Sequence, residues 1–560
     1  MRISLVSSVN LPGWFDQNNK SLELAAPVGI LSLAAVLIPK GHAIFLDDLN
    51  YDIASGNLCL DDNFYDSAAN KILSNDPGLV GFSTMCNSFH VALRLAEAVR
   101  RKAPGVKIVF GGPQASMVDK ETLASFPWVD FILRGEAEPT IGDFIDELQS
   151  GTREFCTPGL TWRDASGAIV RNPDSCLLPD LDTLPMPAYD LVPYGAGNSL
   201  SLEAGRGCPF WCSFCSTSVF WRRRFRVKSI PRLIEEIKTL RSRYNINYFS
   251  FRHDLFTFNR KRVLQFCEAL KKEIPGLTWA CSARLDCVQD ETLKIMGESG
   301  CKGIFYGLET GSQRMQKEIR KNLKLDRVMK TIDTTLCAGI DPTVSFITGF
   351  PSEEPEDLHS TLAMIQELLL VPRVSVQLHL LGPEQGTRDW KDYRDRLEFD
   401  GYYSDISGSS STLLEPEWFQ QYPDLFASFH YYRSNALPRL LLRGIDLFVH
   451  GPCSILKKTI QKQLESSSLY DLYLAWKTWA VSWDAGGGPG AGQKVEEYLL
   501  DYYRFTEYQV NEGNYQLDLG MVRDEILAFI LEFYEDTHVH WVKQQPVAED
   551  QAPVSEPLTG

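Results

Sequence analysis

The sequence lacks the features of a secreted or membrane-inserted protein. Its thirteen cysteines are odd in number and, apart from one cluster, scattered singly, which argues against a disulfide framework. The chain does not start with a charged segment followed by an apolar core, and it has no apolar run of about 18 residues that would suggest a membrane span. We therefore expect a cytoplasmic protein without a membrane partner, in which a cysteine cluster is metal-binding or catalytic.

Basic residues and phosphate-binding loops are also scarce. Lys and Arg total 56 against 72 acidic residues, so the formal net charge is −16 over 560 residues. This balance argues against general binding to a phosphate backbone, and nucleic acid is not an expected partner. The local exception, WRRRFRVK at 221–228, is interpreted as a solvated face with at most one anion-binding arginine. The glycine-rich stretch 484–493 lacks the Gly-Lys-Ser/Thr ending of a phosphate loop and predicts a flexible interruption.

What the sequence does contain is two successive strand–helix series, as expected for a chain long enough for several domains. Residues 1–148 predict a doubly wound, Rossmann-like α/β domain. Its parallel strands are predicted at 3–8, 43–49, 79–84, 107–112 and 130–135. Residues 199–390 predict a partial (β/α)6 barrel. Its strands are predicted at 199–206, 247–254, 278–286, 303–310, 343–351 and 375–382.

The remaining segments differ in composition from these two series. Residues 149–198 predict an ordered linker that contains a hairpin at 159–174, and residues 546–560 predict a disordered tail. Residues 391–545 predict a mostly helical C-terminal domain. Its aromatic side chains have helical spacing and are predicted to be core: Tyr402, Tyr403, Trp418, Tyr431, Tyr432, Trp476 and Trp479.

Three cysteines lie close together in GRGCPFWCSFCS, residues 205–216. Cys208, Cys212 and Cys215 form C-x₃-C-x₂-C. Structural zinc uses four ligands, and the next histidine in sequence, His253, ends a different predicted strand. A fourth ligand from a distant part of the sequence would complete a zinc site, so zinc stays an alternative. A loop with three thiolates better suits a [4Fe–4S] cluster in which one iron has no protein ligand.

This cysteine loop, after the first strand of an α/β barrel, resembles the radical S-adenosylmethionine (SAM) superfamily. The resemblance implies that the cysteines hold a [4Fe–4S] cluster and that SAM chelates the fourth iron. GLETGS (307–312), ITGFPSE (347–353) and SARLD (282–286) resemble its SAM-binding segments, whereas FRHD (251–254) replaces a common Gly-Gly-Glu. The implied SAM contacts are Phe214, Arg252, His253, Arg284, Glu309, Ile347 and Gly349. A buried ion pair is the alternative for Arg284 and Glu309, and a structural role is the alternative for His253 and His379.

The first domain, together with LDTLPMPAYDL in the linker, resembles the cobalamin-binding domain of one branch of that superfamily. The chain has no Asp-x-His-x-x-Gly motif, and His90 lacks the flanking Asp and Gly. The resemblance therefore implies cobalamin without a histidine ligand on its lower face. The implied contacts lie mainly where predicted strands end in small or polar residues: Asn10, Ser83, Thr84, Gly111, Gly112, Pro113, Gln114, Gly135 and Glu136.

Together these resemblances imply a cobalamin-dependent radical SAM C-methyltransferase. A 5′-deoxyadenosyl radical would activate an unactivated carbon of a natural-product or peptide-like substrate, and methylcobalamin would supply the methyl group. A flavodoxin or ferredoxin is the expected electron donor. Two alternatives stay open at this point: a radical cyclase or rearrangement enzyme without net methylation, and a non-catalytic cobalamin- or metal-binding protein.

Overall fold

A seven-stranded sheet forms the N-terminal part of the described structure. In this computed structural model, the described residues are 1–7, 9, 26–192, 199–403, 414–483, 495–512 and 517–534. The strands are β1 (Arg2–Val6), β2 (Ala43–Asp47), β3 (Leu79–Ser83), β4 (Lys107–Gly111), β5 (Phe131–Leu133), β6 (Leu160–Arg163) and β7 (Ile169–Arg171). Their order is β2-β1-β3-β4-β5-β6-β7, and β1 to β5 are parallel. The predicted doubly wound domain is confirmed, with a flavodoxin-like strand order.

The predicted linker hairpin exists, but it does not stand apart from the first sheet. Strands β6 and β7 pair antiparallel, and β6 pairs antiparallel with β5. The hairpin thereby covers the edge of β5 that would otherwise expose unpaired backbone groups. The sequence predicted the hairpin from its local turn, whereas the pairing with β5 depends on the tertiary fold.

A six-stranded parallel sheet follows and forms the predicted partial barrel. Its strands are β8 (Leu200–Glu203), β9 (Tyr248–Arg252), β10 (Thr278–Ala283), β11 (Cys301–Glu309), β12 (Asp341–Thr348) and β13 (Ser375–Leu380). Each strand pairs in parallel with the next one along the chain, from β8 to β13. The carboxyl ends of all six strands therefore lie at one mouth, the place where barrels of this kind hold their active sites.

Helices connect and cover the strands of both sheets. In the first sheet's part they are Val28–Leu37, Leu49–Ala54, Phe64–Leu73, Phe89–Lys102, Pro113–Met117, Asp119–Ser125 and Ile141–Ser150. Around the barrel they are Thr217–Phe220, Ile230–Tyr244, Arg260–Glu273, Asp290–Glu298, Gln313–Glu318, Val328–Cys337, Pro355–Leu369 and Arg388–Tyr393. The last group is Pro416–Gln421, Arg439–Phe448, Lys457–Gln463, Leu469–Trp483, Val495–Asn511 and Leu519–Tyr534.

The C-terminal helical region packs on both preceding parts. Phe419, Phe426 and Phe429 join the core of the first sheet. Further along the chain, Phe448 and Trp476 join the core of the barrel. Of the aromatic side chains predicted to be core, Tyr402, Trp476 and Trp479 lie in the barrel core, Tyr432 lies in a smaller cluster, and Tyr403 and Trp418 pack against the core of the first sheet. Tyr431 joins none of these clusters, and Tyr431–Tyr432 is a short strand instead of a helix. The predictions of a flexible interruption at 484–493 and of a disordered tail at 546–560 concern segments outside the described residues. No described helix is both long and apolar enough to cross a membrane.

Two glycines with positive φ give a matched test of this packing. Gly300 has φ +98°, and a Cβ there would overlap the carbonyl oxygen of Leu277. Gly276 has φ +78°, with nothing within 4 Å of an added Cβ. Gly276→Ala is expected to cost about 1 kcal/mol through its left-handed backbone alone. Gly300→Ala adds a backbone clash, and its unfolding midpoint in urea should be clearly lower. Equal midpoints for the two variants would contradict the packing.

Candidate functional site

The inner face of the barrel is polar rather than filled with apolar side chains. Strand register separates the two faces, because alternate residues such as Phe249, Tyr306 and Phe346 point into the core beneath the helices. The opposite face carries Ser201, Glu203, Ser250, Arg252, Ser282, Phe305, Thr343, Ser345, Gln377 and His379. The side chain of Phe305 is 40% exposed although it lies within a strand. The inner face of the barrel is therefore polar, with one exposed aromatic ring.

The cysteine loop begins where the chain turns at the barrel mouth. Gly207 has φ +84°, and its N–H donates to Asp254 Oδ2 at 3.0 Å. Cys208, Cys212 and Cys215 follow as free, partly accessible cysteines. This fixed turn directs the three thiols toward the strand ends.

The three thiols share one electrostatic environment. Burial raises the pKa of each thiol, to about 11 for Cys215, and the charge of Cys212 contributes to the raised pKa of both Cys208 and Cys215. At Cys212, Lys321 and Arg284 oppose this effect of burial on the pKa. Arg284 Nη1 lies 3.9 Å from Cys212 Sγ. Lys321 and Arg284 therefore favour the thiolate form of Cys212, which is the form that ligates a metal.

A closed zinc site is not formed by the described residues. Among them, no three His, Cys, Asp or Glu side chains converge to hold one metal ion. Zinc needs such convergence, since its four ligands surround a single atom. In a [4Fe–4S] cluster each thiolate ligates a different iron, so its cysteines are spread around the cluster.

Two of the predicted SAM contacts meet in an apolar cluster beside this loop. Phe214 packs edge-on against Phe350, with ring centroids 5.7 Å apart, and Ile347 joins the same cluster. The backbone at Gly349 has φ +91°, and its N–H donates to Glu353 Oε2 at 2.6 Å. The structure thus brings Phe214, Ile347 and the Gly349 turn together beside the cysteine loop.

Glu309 and Arg284 also reach the mouth, each with a partner. Lys321 Nζ donates to Glu309 Oε1 at 2.5 Å, and both side chains are buried. Glu309 adopts φ +69°, a strained conformation for a non-glycine residue and typical of functional sites. Arg284 forms an ion pair with Asp286 at 3.0 Å and donates to the carbonyl oxygen of Lys321 at 2.7 Å. The ion-pair alternative is therefore realised at both residues, and the Glu309–Lys321 pair lies beside Cys212.

Arg252 and His253 do not join this group. Arg252 Nε donates to Ser201 Oγ at 2.9 Å on the neighbouring strand. His253 is buried against Phe225, with ring centroids 4.9 Å apart, and burial lowers its pKa to about 3. A neutral, packed imidazole fits the structural role considered for it. His379 lies on the inner face, with Nε2 at 3.4 Å from Gln377 Oε1.

The predicted cobalamin contacts lie at the carboxyl edge of the first sheet. Thr84 follows β3, and its Oγ1 donates to the Gly111 carbonyl oxygen at 2.8 Å. Gly112 has φ +91°, and an added Cβ would stand 2.7 Å from the Thr84 carbonyl oxygen. Met85, next to Thr84, is 49% exposed. This edge is an accessible surface formed largely by backbone, also lined by Ser83 and Pro113, whereas Asn10 lies outside the described residues.

The side chains of Gln114 and Glu136 bond to other protein groups and do not face an open surface. Gln114 is buried and donates from Nε2 to the Leu425 carbonyl oxygen at 2.9 Å. The Gly135 N–H donates to Ser116 Oγ at 3.0 Å. The Glu136 carboxylate is 2% exposed and accepts from Arg206, from Arg226 and from the Leu178 N–H. The side chains of Gln114 and Glu136 therefore position the edge, and the loop backbone is left for a ligand.

A buried cluster of charges joins this edge to the cysteine loop. Arg206 lies two residues before Cys208 and donates to Glu136 at 2.8 Å, Glu138 at 2.6 Å and Glu203 at 2.7 Å. Burial lowers the pKa of Arg206, but the surrounding carboxylates outweigh that effect and raise it. Conversely, burial raises the pKa of Glu138, and Arg206 outweighs it and lowers the pKa. We call Arg206, Glu136, Glu138 and Glu203 the Arg206 clamp.

His90 is not placed as a cobalt ligand. It is fully buried in helix Phe89–Lys102, with its ring edge-on to Phe419 and Phe429 at 5.2 Å each. Cobalamin without a histidine lower ligand stays a prediction.

Sequence reasoning missed Lys321, Glu353 and the Arg206 clamp as parts of the site. Glu353 is 1% exposed, burial raises its pKa to about 7, and it holds the Gly349 turn. It lies within ITGFPSE, so its nearness to the turn was a usable signal. Lys321 and Glu138 have no local pattern that marks them, because their partners are distant in sequence or on another element.

Comparison with known families assigns both parts of the chain. Residues 19–145 match the B12 binding domain family, and residues 202–365 match the Radical SAM superfamily. The two matched ranges contain the strand edges and the cysteine loop described above.

Individual relatives agree with this assignment. An uncharacterized methyltransferase of Pyrococcus horikoshii is 28% identical over 65% of this chain and 78% of its own length. The anaerobic magnesium-protoporphyrin IX monomethyl ester cyclase of Rubrivivax gelatinosus is 26% identical over 61% of this chain and 62% of its own. The solved radical SAM methyltransferase TsrM from Kitasatospora setae, with cobalamin and a [4Fe–4S] cluster bound, has a TM-score of 0.58 at 15% identity. That match covers 78% of this chain and 85% of TsrM, and it shows a shared fold.

The Arg206 clamp predicts a specific loss of stability. Arg206→Ala leaves the buried Glu138 carboxylate without its cation and Glu136 with Arg226 alone, which is expected to cost about 3–5 kcal/mol. Arg243→Ala removes an exposed pair with Asp190 and should leave the unfolding curve unchanged. Urea unfolding, followed by limited proteolysis between the two sheets, measures the difference. An Arg206→Ala protein as stable as Arg243→Ala would show that the clamp does not hold the two parts together.

Proposed function

The chain belongs to the radical SAM enzymes that carry an N-terminal B12-binding domain, and on this premise we propose that it is a cobalamin-dependent C-methyltransferase. Its substrate would be a natural product or peptide-like molecule with an unactivated carbon. The observation that carries the proposal is the Arg206 clamp. It joins the loop after β5 to the residues just before Cys208, so the proposed cobalamin edge and the cysteine loop would border one cleft.

The residues present fit both cofactors. Cys208, Cys212 and Cys215 would hold the [4Fe–4S] cluster, with Arg284 and Lys321 beside Cys212 to stabilise thiolate. Phe214, Ile347 and the Gly349 turn would hold the adenine of SAM. The backbone at Thr84 and at residues 111–113, with Met85 exposed beside it, would hold cobalamin.

When bound, these cofactors supply the reductive cleavage of SAM, the removal of a hydrogen atom from carbon and the methyl group that replaces it. The protein's own residues orient and enclose the reactants. The buried Glu309–Lys321 pair would lie beside SAM, and Glu353 fixes the Gly349 turn. The Arg206 clamp would hold the two domains together around the reactants, and enclosure of this kind excludes water from a reactive carbon centre.

The substrate would enter the polar inner face of the barrel. Serine, threonine, glutamine and histidine side chains there offer hydrogen bonds from several strands, and Phe305 offers an accessible ring. Such a lining favours a polar molecule with a planar or apolar portion over a purely hydrocarbon one.

A second candidate uses the same cofactors for a radical cyclisation or rearrangement without net methyl transfer. The similarity to the Rubrivivax gelatinosus cyclase favours it. The mass of the product separates the two functions, since methylation adds one CH₂ unit and rearrangement adds none.

The cysteine assignment gives the first test of the proposal. The Cys208→Ala/Cys212→Ala/Cys215→Ala variant, reconstituted without oxygen, should contain almost no cluster iron and should not cleave SAM with dithionite. Cys337→Ala changes an exposed cysteine on a barrel helix and should keep about four irons and full cleavage. Iron analysis and 5′-deoxyadenosine formation are the measurements. Retention of cluster iron by the triple variant would refute the assignment.

The cobalamin assignment gives a second test. The anaerobically purified chain should bind cobalamin, with an absorption spectrum that lacks histidine ligation to cobalt and is unchanged in His90→Phe, which fills the same aromatic pocket. Gly112→Val should lower the bound cobalamin severalfold, because its Cβ would push into the Thr84 backbone. A His90-dependent spectrum, or full cobalamin binding by Gly112→Val, would contradict the placement.

A further inference from the structure

A glutamate of the barrel meets a cysteine of the first sheet at the barrel mouth. Glu384 lies in the loop after β13, and Cys86 lies in the loop after β3, next to the exposed Met85. The Cys86 thiol and the Glu384 carboxyl lie close enough together for each to affect the pKa of the other. Both side chains are partly accessible. Glu384 therefore borders the surface that we assign to cobalamin.

The loop that carries Glu384 is held in place by its neighbours. Gln385 Nε2 donates to the Asp424 carbonyl oxygen at 2.8 Å, and Gln385 Oε1 accepts from Gln114 Nε2 at 3.4 Å. Thr387 Oγ1 donates to the Glu384 carbonyl oxygen at 2.7 Å. These bonds fix the backbone on both sides of Glu384 and leave its carboxylate to other partners.

The Glu384 carboxylate has no cation beside it. Burial raises its pKa to about 7, the Cys86 thiol opposes that rise, and no Lys, Arg or His among the described residues contributes. Other buried carboxylates near the mouth differ, since Glu309 pairs with Lys321 and Glu138 pairs with Arg206. An ionised carboxylate that is desolvated and unpaired is costly. A ligand that supplied a positive charge would remove that cost.

Tyr432 is an independent sign of a group that the protein itself does not supply. It is 3% exposed, and its hydroxyl has no hydrogen-bond partner in the part of the chain that the structure describes. Burial raises its pKa, and the nearby carboxylates of Asp389 and Glu384 raise it further. A buried phenol normally has a partner. The unpaired hydroxyl near Glu384 therefore indicates that a polar ligand group binds there.

Glu384 and Tyr432 lie between the two surfaces that we assign to the cofactors. Cys86, beside Glu384, is next to Met85 on the cobalamin edge. Tyr432 belongs to the same apolar cluster as Phe214 and Ile347, which would hold the adenine of SAM. A substrate group bound by Glu384 would therefore hold the rest of the substrate near both cofactors.

We propose that Glu384 and Tyr432 bind a protonated amine of the substrate, which makes the substrate a cationic, amine-bearing molecule. The inference rests on the proposed function, which requires a substrate between the two cofactors. The Glu384 carboxylate and the Tyr432 oxygen accept hydrogen bonds from the ammonium group. Binding of this kind orients the substrate, and no bond is broken or formed at either side chain.

The charge of Glu384 makes this binding depend on pH. Cys86 and Tyr432 face Glu384 from the first sheet and from the C-terminal region, and the pKa of each is raised above its usual range, so both stay neutral between pH 6 and 8. Glu384 loses its proton as the pH rises through about 7. The affinity for an amine that stays protonated should therefore rise about tenfold from pH 6 to pH 8.

The experiment uses the reconstituted full-length protein and two probes of similar shape. 2-Phenylethylamine carries a protonated nitrogen, and 2-phenylethanol is its neutral counterpart. Their affinities are measured by ligand-observed NMR titration at pH 6, 7 and 8 for the wild type, Glu384→Gln and Tyr432→Phe. Glu268→Gln, which changes an exposed glutamate on helix Arg260–Glu273, is the control. Iron content and urea unfolding verify that each variant holds its cluster and its fold.

The wild type should bind the amine about tenfold more tightly than the alcohol at pH 8. Glu384→Gln should lose this preference and its pH dependence and should keep its affinity for the alcohol. Tyr432→Phe should bind the amine severalfold more weakly. Glu268→Gln should match the wild type.

Neither site variant should unfold at a lower urea concentration than the wild type at pH 8. The raised pKa of Glu384 means that its ionised form destabilises the folded state at pH values above the pKa of the unfolded chain, so Glu384→Gln removes a cost. Tyr432→Phe removes a hydroxyl without a protein partner. Weaker amine binding with an unchanged or higher unfolding midpoint is the signature of a ligand-binding role.

Three results would overturn the proposal. The first is a wild type that binds the amine no more tightly than the alcohol. The second is an unchanged affinity for the amine in Glu384→Gln or Tyr432→Phe. The third is an equal loss of both probes with a lowered unfolding midpoint, which would make the two side chains structural. Failure of the proposed function is distinguishable, since the wild type would then not cleave SAM with dithionite, whereas probe binding is measured without turnover.

Discussion

A buried arginine between two domains is the interaction on which the proposed site depends. Arg206 satisfies carboxylates from the first sheet and from the barrel at once, and it lies two residues before the cysteine loop. An unpaired charge in this position would be costly, so the barrel mouth and the sheet edge are held in one relative position. The position of the proposed cleft depends on that constraint, and so does the distance between the two proposed cofactor-binding surfaces.

The strand register gives the two faces of the barrel sheet different surroundings. One face of the sheet packs beneath helices and contributes most of the barrel core. The other face is polar and accessible, and the strands end in Glu309, Arg284 and the Gly349 turn at the same mouth as the cysteines. A cluster ligated at the mouth would therefore lie above this polar face, where we propose that the substrate binds.

The sequence predicted the strands well because each is a short apolar run between turn residues, a local signal that the tertiary fold reinforces. Strand β12, for example, was predicted at 343–351 and is observed at Asp341–Thr348. Site contacts were harder to predict. Glu136 was assigned to cobalamin, but its partners Arg206 and Arg226 lie 70 and 90 residues away. Likewise, no local pattern distinguishes His253 as a packed imidazole, because its ring packs against Phe225, which is distant in sequence.

The central claim is that cluster and cobalamin share one cleft, and the most direct test is a pulsed EPR measurement on protein that holds the reduced cluster together with cob(II)alamin. The account predicts magnetic dipolar coupling between the two paramagnetic centres, weakened or lost in Arg206→Ala. Independent, superimposed spectra in the wild-type protein would contradict it, because they would place the two centres too far apart to act on one carbon atom.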